Sequence, residues 1–279
     1  MNRARRRLII SADDFGLSQS VNAAIERAHR EGVLAAASLM VGAPEVADAV
    51  ARAKSMPRLR VGLHVVLVNG RPVLPASDVP DLVGPDGDFT THLVAAGFNY
   101  FFHQRARRQL EAEIRAQFAA FAATGLPLEH VDAHNHMHVH PTIFGMLLRA
   151  GKQYGAPPIR IPHEPMMASW RARRSDLAGR FGNDALLAPF FSIMRARARR
   201  AGVAYNDYVL GMDDTGNMTS EVVLSLLHEL PPGDGEMYFH PSTEGLGARE
   251  LATLIDPAFA QALRDRGVER IAFGDLHRA

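Results

Sequence analysis

The chain has 279 residues, 47% of them hydrophobic and 22% charged, and its formal net charge at pH 7 is +1. This composition is ordinary for a globular protein with a sizeable core, and a charge so close to zero suggests no nucleic-acid partner. The sequence contains no cysteine, which excludes disulfides and thiolate metal sites, so a transition metal would have to bind His, Asp or Glu side chains.

Membrane insertion is not indicated anywhere in the sequence. No apolar stretch approaches the ~18 residues that a membrane-spanning helix needs. The N-terminus carries Arg3, Arg5, Arg6 and Arg7, but the apolar run behind them, Leu8–Ile10, is too short for a signal peptide. We therefore expect a cytoplasmic protein, and the sequence does not indicate its oligomeric state.

Apolar runs alternate with helix-like segments along the whole chain. The runs typical of buried strands are, in chain order, Leu8–Ala12, Ala36–Val41, Arg60–Leu67, His130–Ala133, Ile159–Ile161, Tyr208–Gly211, Glu236–Phe239 and Glu269–Phe273. Strands that alternate with helices indicate parallel βαβ units. Seven or eight such units in a chain of this length predict an α/β fold, an irregular TIM-type (β/α) barrel that forms a single domain over residues 1–279.

Two segments do not fit the regular alternation. Residues 68–104 are rich in Pro, Gly and Asp and end in an aromatic stretch at 97–102, which predicts a long irregular loop that could act as a lid over sugars or lipids. Residues 163–201 interleave eight arginines with Met, Trp and Phe. This insertion is typical either of a peripheral membrane contact or of a helical excursion packed on the barrel.

A histidine tract follows the fourth predicted strand. After Asp132, histidines occupy every second position at His134, His136, His138 and His140. If the backbone is extended there, all four imidazoles and the carboxylate begin on one face. Packing alone gives no reason to crowd so many nitrogen ligands together, so the tract predicts part of a metal site.

The other chemically capable residues also fall at the ends of predicted strands. They are Asp13, Asp14, His64, Asp132, His134, Arg160, Asp213, Asp214 and His240. Singly, each has a structural explanation, such as a hydrogen-bonded core histidine or a carboxylate in a helix-starting turn. Together they favour an enzyme, because the carboxyl ends of parallel barrel strands meet at the face where barrel enzymes hold their active sites.

The adjacent Asp13 and Asp14 impose a condition on the first strand. On a regular strand they would point to opposite faces, so both can enter one site only if the strand has already ended before Phe15–Gly16. Two neighbouring carboxylates also need different environments, and a metal on one with Arg160 near the other would provide them.

Four of these motifs together resemble a known family. Ala12–Gly16, Gly62–His64, Asp132–His138 and Phe239–Pro241 look like the corresponding motifs of the YdjC-like (ChbG-type) carbohydrate deacetylases, which have an irregular barrel related to the polysaccharide deacetylases. The stretches Val61–Pro75 and 108–128 resemble the hopanoid-biosynthesis-associated branch, HpnK, which is thought to deacetylate an N-acetylglucosaminyl hopanoid.

The resemblance implies a role for each motif residue. Asp14, His64 and His134 would hold a divalent metal, with zinc as the first choice and Mg, Mn or Co as alternatives. Asp13 would act as general base with Arg160 holding it ionised, and His240 would protonate the leaving amine.

The remaining polar residues would bind substrate or support the metal ligands. These are Asp132, His136, His138 and Asp213, and Asp132 would orient one of the later tract histidines. The expected partner is an N-acetylated sugar or glycolipid. Deacetylation of a soluble chito-oligosaccharide stays open, as does another type of barrel metallohydrolase or a binding module without catalysis.

Overall fold

The computed structural model describes residues 5–174 and 177–276. Within these ranges one parallel sheet of seven strands forms: β1 (Arg6–Phe15), β2 (Ala36–Leu39), β3 (Arg60–Val65), β4 (Val131–Ala133), β5 (Tyr208–Leu210), β6 (Gly233–Phe239) and β7 (Glu269–Ile271). The strand order is β4-β3-β2-β1-β6-β5, and β7 pairs with β1. The sheet is half of a barrel with helices around it.

Each connection between consecutive described strands contains at least one helix. The helices are α1 (Gln19–Glu31), α2 (Val46–Ser55), α3 (Leu93–Phe102), α4 (Gln104–Ala123), α5 (Pro141–Gly151), α6 (Met166–Arg173), α7 (Leu177–Ala201), α8 (Ser220–His228), α9 (Gly247–Ile255) and α10 (Pro257–Asp265). Short 3₁₀ helices span His134–Val139, Lys152–Tyr154 and Phe273–Asp275. Among the described residues, none of the helices is both long enough and apolar enough to cross a membrane.

The longest strand, β1, is the centre of the sheet. Its apolar residues Leu8, Ile9 and Ile10 are fully buried, as expected for a parallel strand covered on both faces. One edge of β1 pairs with β6, and the other pairs first with β7 and then with β2. The carboxyl end of β1 therefore lies between β2 and β6, close to the ends of β3 and β4.

The fifth predicted strand, Ile159–Ile161, is not a strand in the structure. Ile159 forms only isolated bridges, to Val131 on one side and to Tyr205 on the other. Prolines at 157, 158 and 162 flank this segment, and each lacks the N–H group that a ladder of hydrogen bonds requires. Of the seven or eight predicted units, seven form strands of a parallel half-barrel, and the segment at Ile159 contributes single bridges.

The two irregular segments are more helical than the sequence suggested. The predicted loop 68–104 contains α3, so its aromatic end at 97–102 is helical. The 163–201 insertion forms α6 and α7, while residues 175–176 lie outside the described ranges. Phe191, Met194 and Ala198 of α7 are buried, which fits a helical excursion that packs against α5 and α6.

Candidate metal centre

Three side chains from different strands converge at the carboxyl end of the sheet. An oxygen of Asp14, at the end of β1, lies 3.0 Å from Nδ1 of His134 and 3.4 Å from Nε2 of His64. The two histidine nitrogens are 3.3 Å apart. His64 comes from β3, and His134 directly follows β4. Three ligand atoms so close to one another form a group that could hold a metal ion.

A bulge in β1 brings both aspartates into this site. The strand runs past Ala12, the end of the predicted apolar run, through both aspartates and ends at Phe15. The register with β2 shifts between Ala12 and Phe15, and Asp14 has a φ of 63°. Aspartate tolerates this left-handed conformation better than most residues. The bulge breaks the alternation of side chains, so neighbouring carboxylates reach the same region.

His64 is oriented by Asp132, which lies on the neighbouring strand β4. Nδ1 of His64 lies 2.8 Å from Oδ1 of Asp132, and Oδ2 of Asp132 accepts a hydrogen bond from Ser38 at 2.9 Å. Because the carboxylate can only accept, the proton of a neutral His64 belongs on Nδ1, and Nε2 presents its lone pair to Asp14 and His134. The sequence led us to expect that Asp132 contacts a later tract histidine; it contacts His64 instead.

A buried arginine ties the neighbouring carboxylates together. Arg160 donates to both oxygens of Asp13, at 2.7 and 2.8 Å, and to both oxygens of Glu236, at 2.8 and 2.6 Å. Its Nη1 also lies 2.7 Å from Asp132. The guanidinium is fully buried and presents the planar fork that matches carboxylates. Arg160 therefore fixes Asp13 beside the candidate ligands.

The charges of this cluster explain the directions of its pKa shifts. Burial alone would raise the pKa values of Asp13 and Asp132, but the charges of Arg160 and His64 and the hydrogen bonds that the two carboxylates accept together outweigh burial and lower both. For Asp14, burial again opposes ionisation, and hydrogen bonds to His134 and His64 lower its pKa well below the usual range. All three aspartates thus favour ionisation, whereas Arg160 pairs with Asp13, Asp132 and also Glu236.

The excess negative charge favours a bound cation. Burial would lower the pKa of His64, yet the charges of Asp132 and Asp13 raise it well above its usual value. The cluster therefore attracts positive charge, either as a proton or as a metal ion. One carboxylate and two imidazoles are suitable ligands for zinc and other divalent transition metals. The residues present fit such an ion.

A second group of possible ligands overlaps the first. Atoms of Asp13, His64 and Asp132 also lie close enough to hold a metal. However, Arg160 already binds both Asp13 and Asp132, and its fixed positive charge disfavours a cation between them. The group of Asp14, His64 and His134 is the better candidate.

The rest of the histidine tract does not converge on these ligands. The tract is a 3₁₀ turn with left-handed residues at Asn135 and His136, so the extended backbone that would align all four rings is not present. Nε2 of His136 lies 3.2 Å from the hydroxyl of Tyr238, and Nε2 of His138 lies 3.1 Å from the carbonyl of Arg160. The side chain of His140 caps the N-terminus of α5.

His240 lies at the end of β6, next to Tyr238. The two rings meet edge to face, with centroids 5.4 Å apart, and the His240 amide donates to Glu250 at 2.5 Å. The Tyr238 ring also stands 5.1 Å from the guanidinium carbon of Arg160. Asp213, which follows β5, is exposed, and its amide donates to Glu164 at 3.2 Å.

Glu236 and Tyr238 were missed at the level of sequence. Both lie on β6, and with His240 they occupy alternate positions, 236, 238 and 240. Because strand residues two apart share a face, this spacing places all three on the side of Arg160. A charged residue inside an otherwise apolar strand was the signal that could have identified Glu236.

Comparison with known proteins gives consistent matches along almost the whole chain. The profile of the YdjC-like protein family matches residues 7–265. A carbohydrate deacetylase of Geobacillus stearothermophilus is 30% identical over 278 residues, which cover 98% of this chain and 99% of that relative. One from Brevibacillus brevis is 42% identical over 159 residues, but this match spans only 56% of the chain and 59% of the relative.

A similar fold is found among solved structures. A protein of Enterococcus faecalis V583, described as a candidate cellobiose-phosphate cleavage protein, superposes with a TM-score of 0.76 at 23% identity. The superposition covers 97% of this chain and 98% of that one. At this level of identity the likeness concerns the fold.

Proposed function

The chain belongs to the family of YdjC-like proteins, and from this membership we propose that it is a metal-dependent carbohydrate N-deacetylase. It would hydrolyse the acetamide of an N-acetylglucosamine group to acetate and a free amine. The observation that carries the proposal is the convergence of Asp14, His64 and His134 beside the Asp13–Arg160 pair. The Geobacillus relative, matched over nearly its full length, bears the name of a carbohydrate deacetylase.

In this proposal Asp14, His64 and His134 hold the divalent metal, with zinc as the first choice and Mg, Mn or Co as alternatives. The bound metal would polarise the acetamide carbonyl and lower the pKa of water toward ~7. The protein supplies three ligands, an arrangement that leaves room for water and substrate. Asp132 keeps His64 in the tautomer that can ligate a metal.

Asp13 is the proposed general base. Its two oxygens accept from Arg160, and each retains a lone pair that could accept the proton of an attacking water. The charge of Arg160 keeps Asp13 ionised at neutral pH despite its burial. Arg160 therefore positions the base and maintains its charge.

His240 is the proposed general acid. An amide nitrogen leaves poorly without a proton, so the reaction needs a donor on the side of the leaving amine. The ring of His240 stands against Tyr238 at the end of β6, where Glu250 holds its backbone amide. Asp213, His136 and His138 are proposed to line or support the substrate region.

The proposed substrate is an N-acetylglucosaminyl hopanoid. The same hypothesis includes a cytoplasmic location and a peripheral membrane contact through residues 163–201. Exposed apolar side chains in α6 and α7 support such a contact, with Leu186 70% and Met167 45% exposed. A lipid-linked sugar would place the acetamide near a membrane surface.

A soluble chito-oligosaccharide is the second candidate substrate. It is favoured by the arginines of 163–201, because several of them make ion pairs or hydrogen bonds within the protein. Arg173 pairs with Asp214, Arg195 donates to the carbonyl of Asp207, and Arg197 donates to the carbonyl of Pro141. Such contacts are those of a packed helical insertion.

Acetate release distinguishes these candidates. The purified protein is assayed with an N-acetylglucosaminyl lipid and with diacetylchitobiose, each with and without a chelator. We expect chelator-sensitive acetate release from at least one of them, and the preferred substrate decides between lipid-linked and soluble sugars. Metal-replete protein that releases no acetate from either would overturn the proposal.

A further inference from the structure

A basic cavity lies between α4, α5 and α7, outside the candidate metal centre. It has a volume of about 560 Å³, and four arginines from the three helices line it: Arg107, Arg149, Arg197 and Arg200. None of the described residues that line it is one of the three candidate metal ligands. Pro141 and Thr142, the first two residues of α5 after the histidine tract, also line the cavity.

Two of the guanidinium groups converge over Gly145 of α5. A β-carbon placed on this glycine would lie 3.5 Å from Nη1 of Arg149 and 3.8 Å from Nη1 of Arg197. The two like charges are therefore near neighbours above a position without a side chain. Such an arrangement carries an electrostatic cost unless negative charge lies between the groups.

Acidic neighbours in the structure offset little of this charge. Among the described acidic residues only Glu111 pairs with one of the four arginines, at 3.4 Å from Arg149, and Glu111 is shared with Arg115. Nη1 of Arg197 donates a hydrogen bond to the carbonyl of Pro141 at 2.6 Å. A guanidinium carries five N–H donors, so most donors in the cavity can still serve a ligand.

We propose that this cavity binds a phosphate group carried on a larger molecule. Four guanidinium forks offer more donors than one carboxylate can accept, whereas a phosphate presents three or more oxygens that match such forks bidentately. The N-terminus of α5, which begins at Pro141, adds a favourable dipole. The volume exceeds that of a phosphate and fits a ligand of small-molecule size.

The chemistry is common to a phospholipid head group and a soluble phosphorylated compound. This proposal does not depend on the deacetylase activity, because binding can be measured without turnover. It also assigns the basic character of α7 to a defined site rather than to a diffuse surface charge.

The test uses the double variant Arg107→Ala/Arg200→Ala. Both side chains are exposed, so their removal leaves the core intact. The matched control is Arg58→Ala/Arg108→Ala, which removes the same charge from exposed positions that do not line the cavity. Inorganic phosphate is titrated by calorimetry, and vesicles of phosphatidylglycerol or phosphatidylcholine are tested by co-sedimentation.

We expect the wild type and the control to bind phosphate and the double variant to bind at least tenfold more weakly. Loss of phosphatidylglycerol binding in the double variant alone would identify the lipid source, while phosphate binding without vesicle binding would identify a soluble ligand. Equal phosphate and vesicle binding by the wild type and the double variant, or no binding by any of the three proteins, would overturn the proposal.

Discussion

The role of Asp132 depends on which histidine it contacts. In sequence it stands two residues before His134, yet in the structure its carboxylate meets Nδ1 of His64 on the neighbouring strand. The parallel register pairs His64 with Asp132 directly, which explains the contact. A separation of 68 residues in the chain hides this pair from any local motif.

Asp132→Asn tests this role without a change in side-chain size. An amide at this position cannot supply the same charge and can present its NH₂ group to His64, which disfavours the tautomer that ligates metal. We expect metal affinity to fall by about 10–100-fold. The measurement is a competition titration with a chromophoric chelator.

Ser38→Ala is the control, since Ser38 donates to the other oxygen of the same carboxylate, Oδ2, while His64 meets Oδ1. We expect its metal affinity to change less than that of Asp132→Asn. Unchanged affinity in Asp132→Asn would show that the contact with His64 does not matter for metal binding.

At the scale of elements, β3 is packed tightly against the ring of His130 at Gly62, two residues before His64. A β-carbon on Gly62 would lie 2.3 Å from the ring of His130. That ring is fully buried and stacks on Phe273 with centroids 4.1 Å apart. The position tolerates no side chain unless the packed rings move.

Gly62→Ala is therefore expected to destabilise the protein by about 1–3 kcal/mol, because overpacking forces buried groups to shift. Gly145→Ala on α5 is the matched control. Its β-carbon would meet only ordinary contacts, and alanine is favoured over glycine in a helix by about 1 kcal/mol. Urea unfolding measures both, and equal stability of Gly62→Ala and wild type would contradict the packing seen here.

The elements could be predicted where the signal is local. The apolar runs of β1 to β4 and of β6 mark buried strands, and the positions of Asp14, His64 and His134 at their ends follow from parallel geometry. The segment around Ile159 does not form a strand because its flanking prolines outweigh its apolar pattern. The conformation of the histidine tract depends on left-handed residues that hydrophobic pattern does not reveal.

The partners of Arg160 could not all be predicted from the sequence, for a different reason. The arginine contacts Asp13, Asp132 and Glu236, which come from three separate strands. Of these three contacts, only the one with Asp13 is predicted from the sequence. The curvature and register of the sheet determine which carboxylates surround the guanidinium of Arg160.

For the whole molecule, buried histidines predict a loss of stability in acid. Burial lowers the pKa values of His130 and His138 to about 4 and lowers that of His136 well below its usual value. The unfolded chain binds these protons near pH 6.5, whereas the folded chain does not. Their contribution to stability is therefore present above pH 6.5 and is lost as the pH falls toward 4.

Groups with a raised pKa act in the opposite direction, and Glu236 is one of them because burial raises its pKa. Burial raises the pKa of Glu164 to about 7, and nearby carboxylates raise that of His64 against the effect of its burial, so both favour the folded state as pH falls. His140, with its pKa also lowered by burial, adds to the three histidines, and these outweigh the opposing groups. We therefore expect the free energy of unfolding to drop by about 3 kcal/mol between pH 7 and pH 5. Urea titrations in chelator exclude metal loss as the cause, and equal or greater stability at pH 5 would contradict this reasoning.

The central claim is that Asp14 holds a catalytic metal while the adjacent Asp13 acts as a base. The most direct measurement compares metal content and acetate release in the wild type, Asp14→Asn and Asp13→Asn. We predict that Asp14→Asn loses both metal and activity, whereas Asp13→Asn keeps its metal and loses activity by about 10²–10⁴-fold. An Asp14→Asn protein with full metal content and full activity would contradict the account.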